Sequence, residues 1–298
     1  MIAQDFAYLA AGSLEEAVAA LGADPGTSRA VGGGTWVIPE CNRGESSPRL
    51  LVDLRTAGLD GIRPGDGSIA VGATCTYADL IDSALVARQL PLLHRMANGI
   101  TGGRQIQNQA TVGGSAVAAR PQSDVPAVIT AMRATAVVRG LGGERRIPAD
   151  ELFTGAMQSA LRPGEVLAGL EFPVATERTT VGYHKLKRAA GSWPIATAAA
   201  QLTWDEGGRV SAATLVLGGV ADTPVPVDVD DLLVGQSTLG EAMAEVASRA
   251  CAAVTRPWTD ELAPGSYRAA IAGPVAQRAL ACAARRDNRE GGNDGAVL

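Results

Sequence analysis

The sequence predicts an α+β chain, with mixed α/β units at its N-terminal side and an antiparallel sheet with helices towards its C-terminal side. Three observations predict it. Strand and helix patterns alternate over the first 57 residues, and hairpin-like apolar alternation begins near Glu177. Two glycine clusters, "VGGGTWVIP" from Val31 and "TVGGS" from Thr111, each adjoin a β-like stretch.

The elements follow in order. "SLEEAVAALGAD" is a helix with Ser13 as N-cap, Glu16 three residues on, Leu14, Val18 and Leu21 at helical spacing, and Gly22 as its stop. "SRAVGGGTWVI" gives a short strand, a turn and further apolar chain, and Leu50 to Leu54 form a compact buried strand. "SIAVGATCT" is strand-like. "TYADLIDSALVARQ" reads as one helix capped by Thr76, and "PLLHRMANGI" as another opened by Pro91. "SDVPAVITAMRATAVV" runs from helix to strand, Ala136 to Arg139. A hairpin-like turn and a polar helix start follow in "GLGGERRIPADELF", then a strand closed by Pro173. "DEGG" at Asp205 to Gly208 is a hairpin turn between two antiparallel strands, and two helices lead to a polar, glycine-rich tail.

Composition narrows the function. The 298 residues are 46 % hydrophobic with a net charge of −5, and no basic patch argues for nucleic acid. The first twenty residues lack a basic leader, so the expected location is cytoplasmic. Four scattered cysteines and two histidines, His94 and His184, give no local pattern for a metal or iron–sulfur site. A chain so poor in catalytic side chains, if an enzyme, draws its chemistry from a bound cofactor.

Glycines allow close backbone approach and positive φ, so two such loops, with the hydroxyls of Thr35, Thr111 and Ser115, make a cradle for the two anionic groups of a diphosphate. Alternatively both are tight turns at strand ends. The stretches "AVGGGTWVIPECNRG…PRLLVDLR", "DGSIAVGATCTYADL" and "QIQNQATVGGSAVAARPQSDVPAVI" flank them in that order. With "PGEVL", "YHKLKRAAGSWPIA" and "TLVLGGVADTPV", they resemble the FAD-binding (medium) subunit of the xanthine dehydrogenase and carbon monoxide dehydrogenase family of molybdenum hydroxylases, over nearly the whole chain.

The resemblance implies a PCMH-type FAD-binding fold. Two α/β subdomains, residues 1–57 and 58–176, would hold FAD between them. A domain at 177–286, a three-stranded antiparallel sheet with helices, would close over it, and 287–298 would be a flexible tail. It maps diphosphate binding onto Gly32, Gly33, Gly34, Thr35 and Trp36, and onto Thr111, Val112, Gly113, Gly114 and Ser115. Asp124 would bond ribityl or ribose hydroxyls, or be the N-cap of the helix before "VPAVI", or both. Lys185 would place a cation near the flavin, or else be a solvated strand lysine. Val166 and Leu167 would pack on the ring or simply in a strand, and Trp193 would lie over the isoalloxazine or in a buried loop. Three positions depart from the family pattern: Ser115 stands for Asn, Trp36 for Asp or Ser, and Gln107 for Arg. The implied activity is electron transfer through FAD. A molybdenum-cofactor large subunit and a 2Fe-2S small subunit are the implied partners, and electrons would pass to an external acceptor. A self-standing flavin oxidase or dehydrogenase and a non-catalytic module are the rival readings.

Overall fold

The computed structural model describes residues 5–285. The expected tail at 287–298 lies outside them.

The N-terminal portion forms a parallel three-stranded sheet. Strand β1 (Ala7–Ala10) leads into helix α1 (Leu14–Ala23), strand β2 (Ser28–Val31), helix α2 (Val37–Asn42) and strand β3 (Leu50–Asp53). The order is β1-β3-β2, with Tyr8 opposite Leu51 and Arg29 opposite Leu51 on its other edge. Ser13 caps α1 by accepting from the Glu16 N–H, and the Glu16 carboxylate accepts from the Gly12 N–H at 2.7 Å. Gly22 does not end this helix, which runs to Ala23. A Cβ at Gly22 would lie 2.6 Å from the Leu141 side chain, so packing explains that glycine.

A second sheet follows, fully antiparallel. The chain passes through β4 (Ile62–Pro64) and β5 (Ser68–Gly72) into helices α3 (Tyr77–Asp82), α4 (Ala84–Gln89), α5 (Pro91–Asn98), α6 (Gly103–Gln109), α7 (Val112–Ala118) and α8 (Asp124–Ala131). It returns through β6 (Thr135–Gly140), β7 (Gly143–Pro148), α9 (Ala149–Leu152), the small ribbon β8 (Phe153–Gly155) and β9 (Gln158–Ser159), and β10 (Val166–Pro173). The order β4-β5-β10-β6-β7 puts β10 at the centre, with a bulge between Leu167 and Gly169. The single helix read from Thr76 to Gln89 is two. Ser83 adopts an extended conformation, ends α3, and caps α4 through the Val86 N–H.

The third sheet is β11 (Thr179–Lys187), β12 (Pro194–Trp204), β13 (Val210–Gly218) and β14 (Val225–Pro226), in sequence order and antiparallel. The two-residue β14 makes it four-stranded where three strands were expected. The Asp205–Gly208 turn joins β12 to β13, with Gly208 at φ 73°. Helices α10 (Asp230–Leu233), α11 (Met243–Ala253) and α12 (Gly265–Ala283) complete the chain. One apolar cluster under this sheet joins Ala198, Leu202 and Leu217 to Ala276 and Leu280 of α12. A larger cluster packs α3 to α8 against the second sheet and reaches Val181, Ala199 and Val216 of the third.

Candidate functional site

The sequence motifs converge on one cleft. Its empty volume, open mouth included, is about 1080 Å³. One wall is the β2–α2 connection, Gly32 to Trp36, and the opposite wall is Thr111 with the first turn of α7. The floor is β10 through Val166 and Leu167, both nearly inaccessible to solvent. The two glycine segments touch. A Cβ at Gly33 would stand 1.9 Å from the Gln109 carbonyl oxygen, and one at Gly32 would stand 2.9 Å from Thr111 Oγ1. Only a residue without a side chain permits that approach.

The segments differ in what they offer a ligand. The N–H groups of Gly32, Gly33, Gly34 and Thr35 donate to no group among the described residues. Gly34, at φ 70°, is the one glycine of the two clusters with positive φ. The second cluster is not a turn but the start of a helix. The Val112 and Gly113 N–H groups donate to the Cys75 and Ala73 carbonyls, both at 3.0 Å, and the Gly114 N–H donates to Thr111 Oγ1 at 3.1 Å. Capping by Thr111 overrides the poor helix propensity of the glycine pair. This segment therefore brings hydroxyls to the cleft rather than free backbone donors.

Gly32, Gly33, Gly34, Thr35, Trp36, Thr111, Gly113, Gly114, Ser115 and Leu167 all line the cleft. Val112, Asp124 and Lys185 do not. Val112 is buried in the core beneath α7. Asp124 is the first residue of α8, with Ser123 at the cap position, and its carboxylate accepts from Lys185 Nζ at 2.8 Å and from the Tyr183 hydroxyl. Lys185 Nζ also donates to the Gly99 carbonyl at 2.9 Å, so it is no solvated lysine. Its side chain is 8 % exposed and that of Asp124 is 1 %. Burial, followed by the Asp124 charge, pushes the Tyr183 phenol well above its usual range. Trp193, on the β11–β12 connection, stacks on Trp36 with ring centroids 5.0 Å apart.

Sequence reasoning missed four groups on the cleft. The Arg120 guanidinium lies 4.0 Å from the Trp36 ring centroid, and Glu40 joins it to Arg29 through contacts of 2.8 and 2.9 Å. Arg29, Glu40 and Arg120 all line the cleft beside Trp36. Two arginines thus stand beside the glycine segments. The available signal was Arg120 itself, the only basic residue between Arg104 and Arg133. Thr74 is the fourth group. Its hydroxyl is buried and has no hydrogen-bond partner among the described residues, and the residue lines the cleft. His94 and His184 lie outside the lining, with ring nitrogens near Ile81 O and Arg278.

Residues 4–175 match the family model described as the FAD binding domain in molybdopterin dehydrogenase, and residues 182–283 match the CO dehydrogenase flavoprotein C-terminal domain. The chain belongs to the FAD-binding subunits of the molybdopterin dehydrogenases. It is 33 % identical to the carbon monoxide dehydrogenase medium chain of Hydrogenophaga pseudoflava, over 94 % of this chain and 97 % of that one. It is 28 % identical to the glyceraldehyde dehydrogenase medium chain of Sulfolobus acidocaldarius, over 94 % and 99 %. A solved carbon monoxide dehydrogenase of Hydrogenophaga pseudoflava superposes with a TM-score of 0.91 at 33 % identity, covering 96 % of this chain and 99 % of that one. Quinoline 2-oxidoreductase of Pseudomonas putida 86 superposes with a TM-score of 0.86 at 28 % identity, over 94 % and 97 %. As such a subunit the chain is an FAD-dependent electron-transfer component of an oxidoreductase.

The cleft fits the cofactor on its own chemistry. Unpaired N–H groups at Gly32 to Thr35, hydroxyls at Thr35, Thr111 and Ser115, an orphaned Thr74 hydroxyl and two guanidinium groups are what a dinucleotide diphosphate with its sugar hydroxyls requires. Among the described residues no helix is long and apolar enough to cross a membrane.

Proposed function

We infer that the diphosphate of FAD lies between residues 32–36 and 111–115, and that no side chain of this subunit makes or breaks bonds. When bound, FAD supplies the electron-accepting and electron-donating chemistry. The protein binds and orients. Gly32 to Thr35 offer unpaired N–H groups to phosphate oxygens, and Arg29 and Arg120 set a positive field at the mouth. Val166 and Leu167 offer an apolar floor. Asp124 and Lys185 act behind the cleft, by fixing α8 to β11 and so setting how the third sheet stands over the flavin. The observation that carries this reading is the unpaired N–H row facing a wall held at backbone contact distance.

Division into three domains at 57/58 and 176/177 is supported by the sheets, each of which draws all its strands from one range. Partnership with a molybdenum-cofactor large subunit and a 2Fe-2S small subunit is supported by the family and by the medium-chain names of the relatives. Electrons would then enter from the partner's clusters and leave to an external acceptor, in the cytoplasm.

Purification of the chain, alone and from its native host with a C-terminal tag, tests the whole reading. Bound flavin that chromatography identifies as FAD, and co-purification of molybdenum and iron–sulfur subunits, are expected. A chain that takes up no FAD when reconstituted, or that oxidises an organic substrate without partners, would overturn it.

A further inference from the structure

Ser115 reaches the cleft from the first turn of α7, and its hydroxyl has one partner among the described residues. Its Oγ lies 2.5 Å from the phenol oxygen of Tyr77, and the two residues are 6 % and 3 % exposed. Tyr77 opens α3 and is fixed from three sides. Thr76 and Asp79 form a complete capping box, the Tyr77 N–H donates to the Ala110 carbonyl at 3.2 Å, and Thr76 bridges to Thr111.

Either oxygen could donate in the Tyr77–Ser115 contact, but two considerations select one direction. A phenol is a stronger acid than an aliphatic alcohol and therefore the better donor. The Tyr77 hydroxyl also has no other hydrogen-bond partner among the described residues. Were Ser115 to donate, the phenol proton would be stranded in the core. With Tyr77 donating, the Ser115 proton is free. No bond to the Thr111 carbonyl holds it, although a serine in a helix commonly makes one. Burial keeps the phenol protonated, pushing it well above its usual range.

We propose that Tyr77 is a positioning residue that donates to Ser115 and thereby fixes the Ser115 hydroxyl as a donor into the cleft, towards an oxyanion of the FAD diphosphate. The inference rests on the diphosphate placement above and adds to it a residue that does not line the cleft. It also explains how a short serine serves at a position where the family pattern has asparagine: its one proton has one direction left.

The test is FAD titration of flavin-free protein for the wild type, Tyr77→Phe, Ser115→Ala and the double variant, with urea unfolding of each apo form. Tyr77→Phe is expected to weaken FAD binding about three- to tenfold, as is Ser115→Ala, and the double variant to bind no more weakly than Ser115→Ala. Ser115→Cys, similar in size but a weak donor, is expected to match Ser115→Ala, which keeps the test open if Tyr77→Phe does not fold. Additive losses in the double variant, wild-type affinity in Tyr77→Phe, or wild-type affinity in Ser115→Cys would each overturn the proposal. A wild type that binds no FAD would overturn the diphosphate placement itself.

Discussion

Arg120 and Trp36, separated by 84 positions, form a cation–π contact, with the guanidinium carbon over the indole, 4.0 Å from its centroid. Arg120 is half-buried and its other edge is held by Glu40 at 2.8 Å, so the cation is presented to the cleft in one orientation. Arg120→Ala is expected to lower apo stability by about 1–2 kcal/mol, from the lost stacking and ion pair. It is also expected to weaken FAD binding and flatten the salt dependence of that binding. FAD titrations at two ionic strengths, paired with urea unfolding, check both parts; an unchanged salt dependence would remove Arg120 from the anion site.

Gly33→Ala puts a methyl group 1.9 Å from the Gln109 carbonyl oxygen, a backbone atom that cannot rotate away. The β2–α2 connection must then withdraw from the C-terminal end of α6, two residues before Thr111, at about 1–3 kcal/mol of strain. Purified variant protein is expected to fold, by circular dichroism, yet to carry little flavin. The flavin-to-protein ratio after purification is the measurement, and a wild-type ratio would show that the two walls need not touch.

Lys185 and Asp124 form an ion pair almost wholly removed from water. Lys185→Met strands a buried carboxylate, which costs about 3–5 kcal/mol, whereas Lys185→Met combined with Asp124→Asn leaves no buried charge and loses much less. Chemical denaturation of the two singles and the double gives the coupling. Additive losses would mean that the pair acts in solvent rather than in the core.

Cys75, next in the chain to the cleft residue Thr74, is buried, with its thiol pushed up to about 11 by desolvation and then by Asp79. The folded thiol stays protonated where an unfolded one ionises. Its contribution to stability is therefore complete below its ordinary value of 9.0 and declines as pH rises towards about 11. Maleimide labelling of native protein at mildly alkaline pH, read by mass spectrometry, is expected to spare Cys75 and the buried Cys41 and to modify Cys251, which is half-buried.

Local chemistry carried much of the fold. Ser13, Thr76 and the Asp205–Gly208 turn each did in the structure what their side chains and φ preferences suggest, because caps and tight turns depend on a few adjacent residues. The start of α7 was not legible. Two glycines oppose a helix there, and the carbonyls of Ala73 and Cys75, nearly 40 positions away, are what satisfy its first N–H groups. The site divides in the same way. The glycine segments announced themselves, but Arg29, Glu40 and Arg120 are ordinary surface residues until the chain brings them together around Trp36. Thr74 is visible only as a hydroxyl left without a partner after folding. Asp124 was noticed for the right segment, but its bonds to Tyr183 and Lys185 come from a strand some sixty positions later.

That last link restricts how such subunits can be recombined. The boundary at 176/177 looks like a natural crossover for grafting the C-terminal portion of one relative onto another, since no sheet is cut. Yet Tyr183 and Lys185 lie beyond the cut and clasp Asp124 before it. A hybrid that transplants the strand pair without a matching carboxylate inherits an uncompensated ammonium in a dry seam, so the three residues must travel as a set.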